Sequence, residues 1–159
     1  TSRQRNHFEL VNGTKGRSGQ QLDIWSAVYG PINDDGYFKP LFDKRTGEID
    51  AEVAEYWRAN YDLLHYLRQN WAEVGPKLVD KLHVYTGTMD NFYLNNSTRE
   101  LEQWMKTTEN PHYEGVFMYG DGKGHCFSGP VTRAERLREM AQFIMRKKPD
   151  AATTPWWNY

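Results

Sequence analysis

Between Leu82 and Ile144 the chain alternates twice between a short apolar run of strand type and a stretch with helical period, and this order restricts the fold more than any other feature. Leu82–Thr86 is a short apolar run with β-branched and aromatic residues, predicted as a strand buried on both faces and ended by Gly87. A helix is expected from about Asn91 to Thr107, burying Leu94, Thr98, Leu101 and Met105 with Trp104 alongside. Gly115–Tyr119 is the next strand, and a glycine-rich loop runs from Gly120 to Pro130. The last helix opens with a Thr132-to-Glu135 capping box and repeats Leu137, Met140, Ala141 and Ile144 on one face. Strand, helix, strand, helix favours a parallel sheet with helices on its faces, an α/β fold. The strands are too few for a complete doubly wound domain, so part of the sheet is expected elsewhere.

The remainder is less periodic. Residues 1–48 read as an irregular, aromatic loop region. The first fifteen residues have no clean period, glycines recur at Gly13, Gly16 and Gly19, and the apolar patch of Leu22, Ile24, Trp25 and Val28 ends at Gly30-Pro31. From Ile32 to Gly47 the chain is rich in Asn, Asp, Gly and Pro, with Tyr37, Phe38 and Phe42 interspersed, which predicts an ordered loop packed by its rings. Residues 49–74 read as helical: Asp50 is a good N-cap, Val53, Trp57, Leu64, Leu67 and Trp71 follow at roughly helical spacing, and Gly75-Pro76 is expected to stop the run. Residues 80–148 hold the strand–helix–strand–helix portion, and residues 149–159 an aromatic tail ending Pro155-Trp156-Trp157-Asn158-Tyr159. With 159 residues in all, one domain segment is expected.

Composition excludes several classes. Twenty basic residues stand against 21 acidic ones with no Lys/Arg block, which argues against a nucleic-acid partner. No apolar run is long enough to span a bilayer. Thr1 opens the chain in place of Met with no signal-peptide pattern, so an upstream segment is expected. Cys126 is the single cysteine, which rules out an internal disulfide framework or a cysteine-rich metal site; neither metal nor cofactor is expected.

In parallel α/β sheets reactive groups lie just beyond the C-terminal ends of strands. Asp90 follows the first strand, in Gly87-Thr88-Met89-Asp90-Asn91, and His125 follows the second, in Gly120-Asp121-Gly122-Lys123-Gly124-His125. Consecutive parallel strands place such ends side by side, where a carboxylate can fix the tautomer of an imidazole acting as general base. Taken singly, each residue has a plainer reading: Asp90 as the N-cap of the following helix, His125 as an exposed loop histidine. Together they are more specific. His7, His65, His83 and His112 lack such a setting, and His83, inside a strand, reads as a satisfied buried histidine. A nucleophile is harder to find. Gly16-Arg17-Ser18-Gly19-Gln20 has Gln20 where a serine elbow needs glycine, and Ser18 lacks the strand–turn–helix context. Cys126 adjoins His125 in sequence, a poor geometry for a Cys–His dyad.

These residues lie within a wider resemblance. Gly30-Pro31 with Asp35-Gly36-Tyr37, Asp43–Asp50, Tyr56-Trp57-Arg58, Asn60–Leu63, Asn70-Trp71 and Gly75–Leu78 resemble the C-terminal region of large bacterial and fungal serine esterases. Those esterases belong to the same broad α/β-hydrolase family as esterase D and enterochelin esterase. Gly87 with Met89–Asn96, and His125-Cys126-Phe127 with Gly129, carry the strongest similarity. The resemblance implies the C-terminal portion of an α/β-hydrolase fold, with Asp90 and His125 as the acid and base of a catalytic triad. It also implies a nucleophilic serine well upstream, on a missing segment or a partner chain, and a small-molecule ester as substrate. Many such relatives carry an acid where Thr88 stands and Trp where Phe127 stands, which removes a carboxylate and reshapes a pocket wall. The chain alone is not expected to hydrolyse anything. The competing reading is a non-catalytic, aromatic-rich binding or assembly module on the same scaffold, suggested by six Trp and ten Tyr. The residues leave the compartment open; the resemblance leans toward a secreted or periplasmic protein.

Overall fold

The computed structural model describes residues 2–15 and 17–147, so the aromatic tail lies outside the described residues. The chain divides into two compact units, with the division between Trp71 and Ala72.

The first unit is more helical than expected. Helices α1 (Ser2–Val11) and α2 (Gln21–Tyr29) occupy the stretch read as irregular. Side chains between them account for the difference. The buried Glu9 carboxylate of α1 accepts the Leu22 and Asp23 backbone N–H groups at 3.1 and 3.2 Å, satisfying donors that the first turn of α2 leaves open. Asp23 is buried too, and it accepts the Ser18 hydroxyl at 2.7 Å and an ion pair from Lys44. Burial raises its carboxyl, but the Lys44 and Ser18 bonds outweigh burial and hold it below the ordinary value. The loop after α2 is ordered as expected, chiefly through its backbone. Short antiparallel bridges join Ile32 to Phe38 and Phe42 to Ile49, and Asp43 turns its carboxylate onto the Arg45 and Thr46 N–H groups.

Asp50 caps α3 (Ala51–Tyr61) as predicted, accepting Glu52 N–H at 2.9 Å and Val53 N–H at 3.1 Å. The single expected helix is two: α3 ends at Tyr61 with Asp62 as its C-cap, and α4 covers Leu63–Leu78. Gly75-Pro76 does not stop α4. The chain stays helical through Pro76, and the following turn closes through Val79 N–H to the Gly75 carbonyl at 2.9 Å. The irregularity in α4 is Asn70, whose φ of −121° and ψ of 15° leave the helical region.

In the second unit, β1 (His83–Gly87) and β2 (Val116–Gly120) pair in parallel, with Thr86 opposite Tyr119 and Gly87 opposite Gly120. Helix α5 (Leu94–Met105) joins them and packs on β1, and α6 (Arg133–Lys147) follows. The alternation therefore gives a parallel α/β arrangement, limited to two strands among the described residues. β1 is not buried on both faces: His83 is exposed, and burial is complete only at Thr86 and Gly87. His83 is accordingly no core histidine; its ring lies 4.6 Å from that of Phe143. Met105 is fully buried, but Leu94 at the start of the predicted stripe is exposed. The Thr132–Glu135 capping box forms, yet Leu137, Met140 and Ile144 on the apolar face of α6 are about half exposed. Tyr113 closes the strand entry, donating its hydroxyl to the Leu82 carbonyl at 2.7 Å, and burial pushes its phenol up to about 12.

Candidate active site

The parallel register brings Gly87 and Gly120 level, so the loops leaving β1 and β2 start side by side. Two backbone bonds of 2.9 Å join them, from Thr88 N–H to the Gly120 carbonyl and from Met89 N–H to the Lys123 carbonyl. Gly87 permits this closeness. A Cβ there would fall 2.1 Å from the Lys123 oxygen and 2.3 Å from the Gly124 oxygen, so no larger residue fits without moving backbone.

Asp90 and His125 meet across this junction. His125 Nδ1 lies 3.1 and 3.2 Å from the two Asp90 carboxylate oxygens. The acid is inside and the base outside: the Asp90 side chain is 3% exposed and that of His125 is 40% exposed. The pairing favours the tautomer protonated on Nδ1 and leaves Nε2 for proton transfer. Burial would raise the Asp90 carboxyl, but the Phe92 backbone N–H and the His125 ring outweigh it and keep it below the ordinary carboxylate value. The Phe92 ring packs on the imidazole, with centroids 4.6 Å apart.

The plainer reading of Asp90 fails on geometry. The N-cap of α5 is Tyr93, in the left-handed region at φ 61°, so no helix can begin at Asn91. Asp90 instead makes an Asx turn, accepting Phe92 N–H at 2.7 Å on Oδ1. The carboxylate is thus held by one backbone donor on one side and presented to His125 on the other.

The other sequence candidates are placed elsewhere. Ser18 gives its hydroxyl to Asp23 and accepts Gln20 N–H at 3.0 Å. The Cys126 thiol is free and exposed. Neither residue, nor any serine among the described residues, is hydrogen-bonded to the His125 ring. His112 is tied to the Thr108 carbonyl at 2.8 Å and His65 to Arg58. Among the described residues no cluster of His, Cys, Asp and Glu could hold a metal, and no helix is long and apolar enough to cross a membrane. Phe127 lies against Gly120 at the end of β2.

Sequence reasoning missed the place of Phe92 and the bond made by Thr88. Phe92 looks like any aromatic at a helix entry, and only the left-handed turn at Tyr93 brings it onto the imidazole. The sequence marks Thr88 as a position but not its partner, the Gly122 amide, which is set by the folding of the second loop.

Comparison with known proteins gives no family. No family model, curated protein or solved structure matches this chain.

Proposed function

We propose that this chain is the acid- and histidine-bearing part of a serine carboxyl-ester hydrolase with an α/β-hydrolase fold. The observation that carries the reading is the Asp90–His125 pair, buried acid against exposed imidazole, at the C-terminal ends of consecutive parallel strands. In this reading His125 Nε2 accepts the proton of a serine hydroxyl as it attacks the ester carbonyl, and later returns a proton to the leaving alcohol. Asp90 holds the ring and stabilises the imidazolium. The serine and the oxyanion-binding N–H groups come from polypeptide other than these residues, since no serine among the described residues reaches the imidazole. A two-stranded parallel sheet and the half-exposed apolar face of α6 support the same incompleteness, because parallel sheets are normally covered on both faces.

A second reading rests on the first unit. Trp25, Tyr29, Trp57, Tyr61 and Tyr56 form a run of ring contacts between 5.0 and 6.4 Å. Beside it lies an open hollow of about 400 Å³ lined by Leu41, Ile49, Trp57 and Tyr61. Such a surface suits a non-catalytic binding module. Native mass separates the readings. The esterase reading expects the species purified from its natural source to exceed the 18.7 kDa of this chain and to hydrolyse a short-chain aryl ester. A stable 18.7 kDa monomer without esterase activity would favour the binding module.

A further inference from the structure

Beside the Asp90–His125 pair itself and the two backbone bonds, the Thr88 side chain also joins the two loops. Thr88 Oγ1 accepts the Gly122 N–H at 2.9 Å and approaches Asp121 Oδ1 at 3.5 Å. Gly122 stands in the left-handed region at φ 62°, in a turn closed by Lys123 N–H to the Gly120 carbonyl at 3.1 Å. That conformation directs its amide to the hydroxyl. The Asn95 side-chain amide in turn donates to the Thr88 carbonyl at 3.2 Å, tying the residue to α5. Thr88 therefore touches β1's exit, the second loop and the following helix, two residues before Asp90.

We propose that Thr88 is the positioning residue of the pair, and that its hydroxyl sets the distance and tilt at which the Asp90 carboxylate meets the His125 ring. The chemistry selects a hydroxyl. It accepts from Gly122 while its own proton points toward the Asp121 carboxylate, whereas a carboxylate at this position would face Asp121 as a like charge. The methyl group of valine fills similar space but accepts no hydrogen bond. Because the two backbone bonds remain, Thr88→Val keeps the loops adjacent and loses only the lock between them. A supporting group of this kind matters because catalytic geometry must hold within about 0.5 Å.

The test reads the His125 tautomer, which a merely structural role for Thr88 would not move. With the chain labelled with nitrogen-15 and the imidazole neutral, ring nitrogen shifts should report the Nδ1-protonated tautomer in the wild type. Asp90→Asn should lose that preference. Thr88→Val should move toward the Asp90→Asn spectrum, and Thr88→Ser should restore the wild-type one. A wild-type tautomer in folded Thr88→Val, or in Asp90→Asn, overturns the proposal. Should Thr88→Val fail to fold, hydrogen exchange decides: the Gly122 amide should be protected in both wild type and Thr88→Ser, and fast exchange in the wild type contradicts the lock. Activity rests on the esterase reading and is measured separately. In the complete hydrolase, Thr88→Val should lower kcat by about 10–100-fold with KM little changed, as a small misplacement of a reacting group does. An inactive assembly with the expected tautomer series would sink the esterase reading and leave the positioning role of Thr88 intact.

Discussion

If the proposed esterase function holds, replacing His125 with alanine should abolish ester hydrolysis by the complete assembly, with kcat falling about a million-fold, the scale on which removing a triad base acts. In that reading the imidazole takes the serine proton and later delivers one to the leaving alcohol, and it is the ring that the Asp90 carboxylate holds. The fold should survive, since the ring is 40% exposed and the loops are held by the Thr88 and Met89 backbone bonds, which do not involve it. Stopped-flow or steady-state hydrolysis of an aryl acetate, beside a thermal melt, checks both halves. Appreciable turnover in a folded His125→Ala enzyme would remove the histidine from the mechanism.

Asp90→Asn should cost about ten-thousand-fold in kcat at nearly unchanged melting temperature. The amide keeps the shape of the carboxylate and can still accept the Phe92 N–H through its oxygen, so the Asx turn persists. What changes is the partner offered to Nδ1. An NH₂ facing the ring favours the tautomer protonated on Nε2, the nitrogen that must be free to take the serine proton, and the imidazolium loses its counter-charge. A purely structural Asp90 behaves differently, because asparagine supports a turn or a cap about as well as aspartate. Wild-type turnover in Asp90→Asn would return the residue to that role.

The site was more legible in the sequence than the fold around it, for physical reasons visible residue by residue. The strands β1 and β2 are apolar, β-branched and aromatic runs closed by Gly87 and Gly120, a pattern with few alternatives, and their parallel order follows from the helix between them. That topology alone brings Asp90 near His125. The Asp50 cap and the Thr132–Glu135 box were legible because capping depends on neighbours in sequence. Helices α1 and α2 were missed because they lean on contacts distant in sequence. The nine residues of α2 are too short to display a period, and its N-terminus is satisfied by Glu9, thirteen residues before Leu22. Proline signalled a stop at Pro76 that the helix did not obey, while the break at Asn70 has no sequence mark. His83 was read as buried because a central strand would bury it. With two strands among the described residues it is exposed, and its neighbour is Phe143 of α6.

Where covalent chemistry falls tests most directly whether this chain supplies acid and base to a serine held elsewhere. The complete native species is treated with a fluorophosphonate, whose phosphorus is attacked by an activated serine oxygen with loss of fluoride, and the adduct is mapped by peptide mass spectrometry. The expected adduct is on a serine outside these 159 residues, and its formation should be lost in His125→Ala. An adduct on Ser18 or Cys126, or labelling that persists undiminished without the His125 imidazole, would contradict it.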